Sequence, residues 1–350
     1  MKYYLKEEFL HDVNAKNAGN KARNDVESIV KEEGYHPLVL SVDNWYQMST
    51  LVAQRHKAKA FGQALDQLKQ GDELLIQFPM LHHSFFSTHL VKKAQKRGIK
   101  VYLLIHDLEV LRHANMTSLP LKHRIRMYLQ EASFLKAADG IIAHNPVMKS
   151  VLVDKGIAED KIVSLGIFDY LIPNFQEKSG QTKDQPMIVA GNLAQEKAGY
   201  LYALPAEPAY NLYGVGFDES RALENETYFG SFLPDELPAA LEGGFGLVWD
   251  GDSAETCSGV FGKYLRYNNS HKASLYLASG FPLVVWKQSA LSHFVLEKGC
   301  GIAVESLHDL KETIDNLSDA DYQDLVDNAK RVGQEIRDGH YLKTALNYLG

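Results

Sequence analysis

Short apolar runs alternate with longer amphipathic stretches along all 350 residues. In the first half, runs such as LLIQF (74–78) and VYLLI (101–105) predict buried strands at 2–5, 37–42, 73–78, 100–105, 140–143 and 162–165. Between them, apolar positions at three- and four-residue spacing predict helices over 20–33, 50–69, 85–97, 121–137 and 146–155, several of them stopped by Gly. The second half repeats the scheme. Strands are expected at 186–190, 211–214, 228–230, 245–249, 283–286 and 301–304, and helices at 234–242, 289–298, 307–317 and 319–337. Such alternation implies an α/β protein with parallel, doubly wound sheets, which bind ligands outside the carboxyl ends of their strands. The polar stretch 176–185, QEKSGQTKDQ, has no apolar period and reads as a linker. Two domains are expected, 1–176 and 186–337.

Composition narrows the class. With 37 Lys and Arg against 44 Asp and Glu, the net charge of −7 argues against general nucleic-acid binding. The two cysteines, Cys257 and Cys300, form no disulfide framework and stand in no metal-ligand spacing, which fits a reducing cytoplasm. No apolar run approaches the roughly 20 residues of a membrane span, and the N-terminus has no signal-peptide core, so a soluble protein is expected. The first strand is not followed by GxGxxG, which disfavours a nicotinamide dehydrogenase.

The stretch 261–286, FGKYLRYNNSHKASLYLASGFPLVVW, is the densest in candidate chemistry. A Gly-Lys turn (Gly262, Lys263) precedes the polar run Tyr267-Asn268-Asn269-Ser270. Ser270 or Asn269 caps a helix whose first turn carries His271 and Lys272, and Gly280 ends it. A cation in the first turn opposes the helix dipole unless an anion lies between them, and a helix N-terminus is itself an anion site. Lys272 therefore marks a phosphate site or else points into solvent. Among strand ends, which also carry Asp43-Asn44, Gln77 and His144-Asn145, His106-Asp107 is the best candidate for proton transfer; the alternative is that Asp107 caps the next segment or pairs with Arg112. His82-His83 point apart in an extended segment and read as groove or loop residues rather than metal ligands. The basic cluster 122–126 reads as a solvated helix face that can also touch an anionic lipid-linked acceptor. Asp250-Gly251-Asp252 ends a strand and by itself suggests a metal-bound nucleotide.

The pattern YNN-x-HK-x-SLYLA-x-G-x-P resembles the nucleotide-sugar segment of bacterial β-1,6-galactofuranosyltransferases and of streptococcal glucosyltransferases that extend GlcNAc on serine-rich adhesins. Asn17-Ala18-Gly19-Asn20-Lys21-Ala22, Ile105-His106-Asp107-Leu108-Glu109, Ala190-Gly191-Asn192-Leu193 and Gly246-Leu247-Val248-Trp249-Asp250-Gly251 match the same group in order. The resemblance implies the GT-B fold, two Rossmann-like domains facing across a cleft, with the last helix, 338–350, crossing back to the first domain. It implies a UDP-sugar donor held without a metal or other cofactor. Lys197, Tyr213, Asp250, Lys263, Asn268, Asn269, His271 and Lys272 would hold it, with Asn17, Ala18 and Gly19 at the cleft mouth. Lys197 stands six residues after Gly191, as a diphosphate-binding Lys does in many such enzymes; Asn192 replaces the usual Arg and offers only an amide. His106 or Asp107 would face the acceptor, a hydroxyl of a glycan, a glycoprotein or a lipid-linked oligosaccharide. Peripheral membrane contact and a homo-oligomer are further expectations. The competing readings are a sugar-nucleotide epimerase and a non-catalytic UDP-sugar-binding partner subunit.

Overall fold

The structure is a computed structural model describing residues 1–8, 18–41, 48–112 and 121–349; for 18–19 and 121–128 only the backbone is described. Two compact units emerge, one of Met1–Ala15, Arg23–Leu165 and Leu342–Gly350, the other of Lys16–Ala22 and Gly166–Tyr341. The change of unit falls at Leu165/Gly166, not in the polar stretch 176–185, which lies within the second unit. The reason lies in the segment after Gly166. Its carbonyl accepts from the Asn269 amide at 2.6 Å, Asp169 accepts from the Tyr341 N–H at 3.2 Å, and the Tyr170 hydroxyl donates to the Pro234 carbonyl at 2.8 Å. Low hydrophobicity had marked solvent exposure rather than a boundary. The terminal helix His340–Leu349 is shared between the two units at Tyr341/Leu342.

In the first unit the described strands are β1 (Lys2–Glu8), β2 (His36–Ser41), β3 (Glu73–Phe78), β4 (Lys100–Ile105), β5 (Gly140–Ala143) and β6 (Ile162–Ser164). They pair in parallel in the order β2-β1-β3-β4-β5-β6. The strand order reverses between β1 and β3, so the switch-point crevice opens beyond Glu7 and Phe78. The central strands are buried along nearly their whole length, as a sheet covered by helices on both faces requires.

In the second unit β7 (Met187–Asn192), β8 (Tyr210–Val215), β9 (Glu226–Tyr228), β10 (Phe245–Val248), β11 (Leu283–Trp286) and β12 (Gly301–Val304) form a parallel sheet ordered β12-β11-β10-β7-β8-β9. The reversal lies between β7 and β10, whose carboxyl ends carry Asn192 and Asp250. Most predicted helices are present with ends shifted by a few residues; 307–317 begins instead as a 3-10 turn, Leu307–Asp309, before the helix Leu310–Asp315. Gly262 and Lys263 lie inside the helix Gly259–Tyr264, not in a turn, because the Gly262 N–H finds the Ser258 carbonyl and its own carbonyl takes the Leu265 N–H.

The helix His271–Ala278 is fixed on three sides. A Cβ on Gly246 of β10 would sit 2.2 Å from the Tyr276 ring, so the ring packs directly on the strand backbone. The Tyr276 hydroxyl accepts the Ala190 N–H of β7 at 2.7 Å. From the other side comes the helix Asp319–Arg337, started by a capping box between Ser318 and Asp321. Its Gly333 meets the last turn so closely that a Cβ would stand 2.1 Å from the Leu277 carbonyl oxygen, and Arg337 donates to the Ala278 carbonyl at 2.5 Å. Replacing a helical Gly by Ala ordinarily stabilises a helix by about 1 kcal/mol. Here Gly333→Ala should destabilise, by roughly 1–3 kcal/mol through overpacking. Urea unfolding of the variant checks this, and a gain in stability would refute the close approach.

Candidate active site

In the second unit the switch point gathers several of the predicted residues. Lys272, one residue into its helix, donates to the Asp250 carboxylate at 2.8 Å and to the Trp249 carbonyl at 3.1 Å. Both side chains are largely buried, 11% exposed for Lys272 and 8% for Asp250. The anion that a first-turn lysine demands is thus supplied by the end of β10, and Lys272 does not point into solvent. Asp250 orders the site through this pair. Asp252 turns to the Ser258 hydroxyl, and no group of three or more His, Cys, Asp and Glu able to hold a metal occurs among the described residues. The next residue, Gly251, ties in Lys197: its N–H donates to the Lys197 carbonyl at 2.8 Å. The Lys197 ammonium lies 5.5 Å from the Phe261 ring centroid, on the helix that carries Lys263. Asn192 is exposed at the end of β7; its Oδ1 accepts the Ala194 N–H at 2.9 Å, so the amide nitrogen is what it offers a ligand.

The segment before the helix is held from within. Asn269 is buried and donates to Gly166, while the buried Oδ1 of Asn268 has no hydrogen-bond partner among the described residues. His271 packs against Phe168 and Tyr170, with centroids 5.9 and 5.2 Å away. Burial, and then the nearby Lys21 charge, push its pKa down to about 4, so it is a neutral imidazole near pH 7 and offers hydrogen bonds without charge. Its buried Nε2 likewise has no partner among the described residues. Two such atoms thus lie within four residues of each other at the start of this helix.

Two predicted residues take other places. Tyr213 is fully buried: its ring stacks on Phe229 at 4.9 Å, and its hydroxyl accepts the Glu242 N–H at 3.1 Å. Both faces of β8 are covered at this level, so Tyr213 is enclosed, which corrects the expectation that it helps to hold the donor. Lys263 is exposed in the last turn of its helix, where a cation suits the dipole, and nothing described ties it to Lys272. Ala18 and Gly19 open the helix Ala18–Glu32, two residues earlier than expected; Asn17 and Asp43-Asn44 lie outside the described residues. Lys21 belongs to the matching segment 17–22, in which the sequence assigned it no role. Its buried ammonium donates to the Leu171 carbonyl at 2.7 Å, pairs with Asp235 at 2.8 Å and lies 4.9 Å from the Tyr170 ring centroid.

The carboxyl edge of the first sheet presents a separate set. His106 follows β4, and its Nε2 lies 2.7 Å from Gln77 Oε1. Asp107 pairs with Arg112 at 2.6 Å, and Arg112 also takes Glu109 at 3.0 Å. Asp107 is thus engaged by a guanidinium, whereas His106 faces the amide of Gln77. Arg23 and Glu7 escaped notice in the sequence. Glu7, next to last in β1, accepts the Leu81 and His82 N–H groups at 2.9 and 2.7 Å, and Arg23 donates to the Pro79 carbonyl at 2.6 Å. His82 is buried against the Glu8 carbonyl and His83 stands edge-on to Phe134, so both brace the loop after β3. Helix Leu121–Ala137 carries the basic residues 122–126, whose side chains are outside the described set.

Known proteins show the same architecture. Sucrose-phosphate synthase from Thermosynechococcus elongatus matches with a TM-score of 0.65 at 13% identity, over 99% of this chain and 98% of that one. WaaG, a glycosyltransferase involved in lipopolysaccharide biosynthesis, matches with a TM-score of 0.56 at 12% identity, over the whole of both (100% and 100%). The fold, two Rossmann-like domains, is that of the GT-B glycosyltransferases. In sequence the chain is 33% identical to the beta-1,6-galactofuranosyltransferase WbbI of Escherichia coli K12, over 97% of this chain and 96% of that protein. It is 26% identical to Glucosyltransferase 3 of Streptococcus gordonii, over 93% and 92%. Profiles of the Glucosyltransferase 3-like N-terminal and C-terminal domains match residues 2–167 and 187–349. The chain belongs to the Glucosyltransferase 3-like family and is a glycosyltransferase.

Two outcomes follow from the geometry. Asp250→Ala strands the Lys272 ammonium and should cost about 3 kcal/mol, the low end for breaking a buried pair; a loss below about 1 kcal/mol in urea unfolding would contradict the pairing. For His271, folding lowers the pKa from 6.5 to about 4, so between those values the unfolded chain binds a proton that the folded chain refuses. Its contribution to stability is intact above pH 6.5 and is lost as pH falls toward 4. His271→Gln should therefore show a smaller drop in Tm between pH 7.5 and pH 5 than the parent chain, by thermal melts in matched buffers, with an equal drop as the contrary result.

Proposed function

We propose that the protein transfers a hexose, galactofuranose or glucose, from a UDP-sugar to a hydroxyl of a glycan, glycoprotein or lipid-linked acceptor. The observation that carries this reading is the cation at the switch point: Lys272, buried beside Asp250 at the start of a helix whose approach contains two unmatched polar atoms. A diphosphate there would gain the lysine charge, the helix N-terminus and the Asn268 and His271 groups together. In the transfer step the acceptor oxygen bonds the anomeric carbon, the anomeric C–O bond to the diphosphate breaks with its electron pair leaving on UDP, and the hydroxyl proton passes to a base, for which His106 is the candidate. Charge on departing UDP is offset by Lys272 and Lys197, so the reaction is read as independent of a metal.

The family supports the reading. WbbI is a galactofuranosyltransferase and the streptococcal relative a glucosyltransferase by name, and a GT-B-fold relative with a TM-score of 0.54, Anabaena HepE, forms a complex with UDP-glucose. The two buried free thiols suit a reducing cytoplasm. Self-association and peripheral membrane contact belong to the reading through the resemblance alone.

The test is a panel of UDP-glucose, UDP-galactofuranose, UDP-galactopyranose, UDP-GlcNAc and GDP-mannose, read by thermal shift and by slow hydrolysis. Stabilisation by UDP compounds, with turnover of one hexose donor, is expected. Lys272→Ala should lower that turnover by about 10²-fold, the scale of losing one such charge-stabilising donor. No response to any UDP compound would overturn the assignment.

A further inference from the structure

Strands β3 and β4 run in register, with Gln77 opposite Leu104 and Phe78 opposite Ile105. The ladder extends one step further, the His106 N–H donating to the Phe78 carbonyl at 2.7 Å, so His106 leaves β4 alongside the end of β3. Gln77 is buried there, 5% exposed. Its amide nitrogen donates to the Arg23 carbonyl at 3.3 Å, and its Oε1 lies 2.7 Å from His106 Nε2. A carbonyl can only accept, so the Gln77 atom facing Arg23 is the nitrogen, and the oxygen is left for the imidazole. An amide oxygen can only accept as well, so the His106 nitrogen facing it carries a proton.

We propose that Gln77 is the positioning residue for His106: it holds the imidazole as the Nε2–H tautomer, so that the basic lone pair is on Nδ1. The proposal rests on the reading of His106 as the base that receives the acceptor proton. In that step the proton moves from the acceptor hydroxyl to Nδ1, the oxygen bonds the anomeric carbon and UDP departs with the electron pair. The imidazolium that forms keeps its Nε2–H bond to Gln77. The chain from the Arg23 carbonyl through the amide to the ring is anchored on the helix Ala18–Glu32 and on β3, both rigid elements, so the ring plane is set before any substrate arrives. Among the described residues, the charged and titratable groups at this sheet edge include Arg23, Glu7, the Asp107–Arg112–Glu109 group, and His144, which hydrogen-bonds the backbone of Ile105 and His106. A neutral amide orients the ring without adding a fourth carboxylate to this set.

The experiment reads the tautomer directly. Long-range ¹H–¹⁵N spectra of the full chain at neutral pH, with His106 assigned by its absence in His106→Asn, should show Nε2 protonated and Nδ1 bare. Gln77→Glu places a carboxylate against the ring and should move the acid limb of the pH profile for UDP-sugar turnover, with water as acceptor, upward by about one pH unit or more. Gln77→Met should remove the tautomer preference and lower kcat by about 10-fold, less than the roughly 10²-fold at the low end of general-base catalysis because the base itself remains, with little change in KM for the donor. An Nδ1–H tautomer in the parent chain, or a Gln77→Met chain with unchanged spectrum and kcat, would overturn the proposal. Turnover by His106→Asn at the parent rate, with the Nε2–H signal present in the parent, would overturn the base role separately from the tautomer. The parent spectrum decides the tautomer even where a Gln77 variant fails to fold.

Discussion

The second unit depends on holding a lysine where a helix dipole disfavours it. Lys272 occupies the first turn of its helix, and its charge is matched by Asp250 from the end of β10, 22 residues earlier in the chain. Opposite charges that close and that poorly hydrated attract strongly, but each has lost much of its water, so the pair specifies position more than it adds stability. Position is what the surroundings enforce. Gly246 lets the Tyr276 ring lie on β10, Tyr276 reaches the β7 backbone, and Gly333 presses the last turn from behind. The same reversal of strand order that opens a crevice beyond β7 and β10 therefore also delivers a fixed cation to it.

The carboxyl edge of the first sheet distributes its groups differently. There the charges are largely satisfied among themselves: Asp107 by Arg112, and Glu7 by two backbone N–H groups. What stands out is a neutral contact, Gln77 against His106. A glycosyl transfer needs positive charge where the nucleotide departs and a proton acceptor where the hydroxyl attacks. The second unit concentrates cationic groups and unmatched polar atoms at its switch point, and the first offers an oriented imidazole. Each sheet does so through residues at strand ends, which the core holds while leaving the last side chains to the solvent edge.

Much of this was legible in the sequence, and the failures have common causes. Continuous apolar runs gave β3, β4, β5, β11 and β12 their full extent, because a strand buried on both faces needs no alternation to be recognised. The apolar spacing over 319–337 gave the helix Asp319–Arg337 at both ends, and the structure adds the Ser318–Asp321 capping box that starts it. A cation in the first turn announced that an anion was required, but periodicity does not say which residue comes to it; Asp250 was visible only as a strand end. Tyr213 was misjudged because an aromatic residue in a strand reads the same whether it faces a ligand or the core, and the Glu242 N–H that claims its hydroxyl is distant in sequence. Gln77 was noted only as a strand end and Arg23 not at all for the same reason, since their bonds join elements that only the sheet order brings together. The unit boundary was misplaced because a polar stretch records exposure, whereas the break depends on which sheet claims Gly166 to Tyr170.

The central claim is that Lys272 receives the diphosphate of a uridine nucleotide. Calorimetric titration of UDP into the parent chain and into Lys272→Met, at two ionic strengths, tests it most directly. The account predicts that the parent binds, that the substitution weakens binding by at least about 10-fold, the order of one charge-assisted hydrogen bond, and that added salt weakens the parent more than the variant. Equal affinity in a folded variant would contradict the claim and leave the Asp250–Lys272 pair as a packing device of the second sheet.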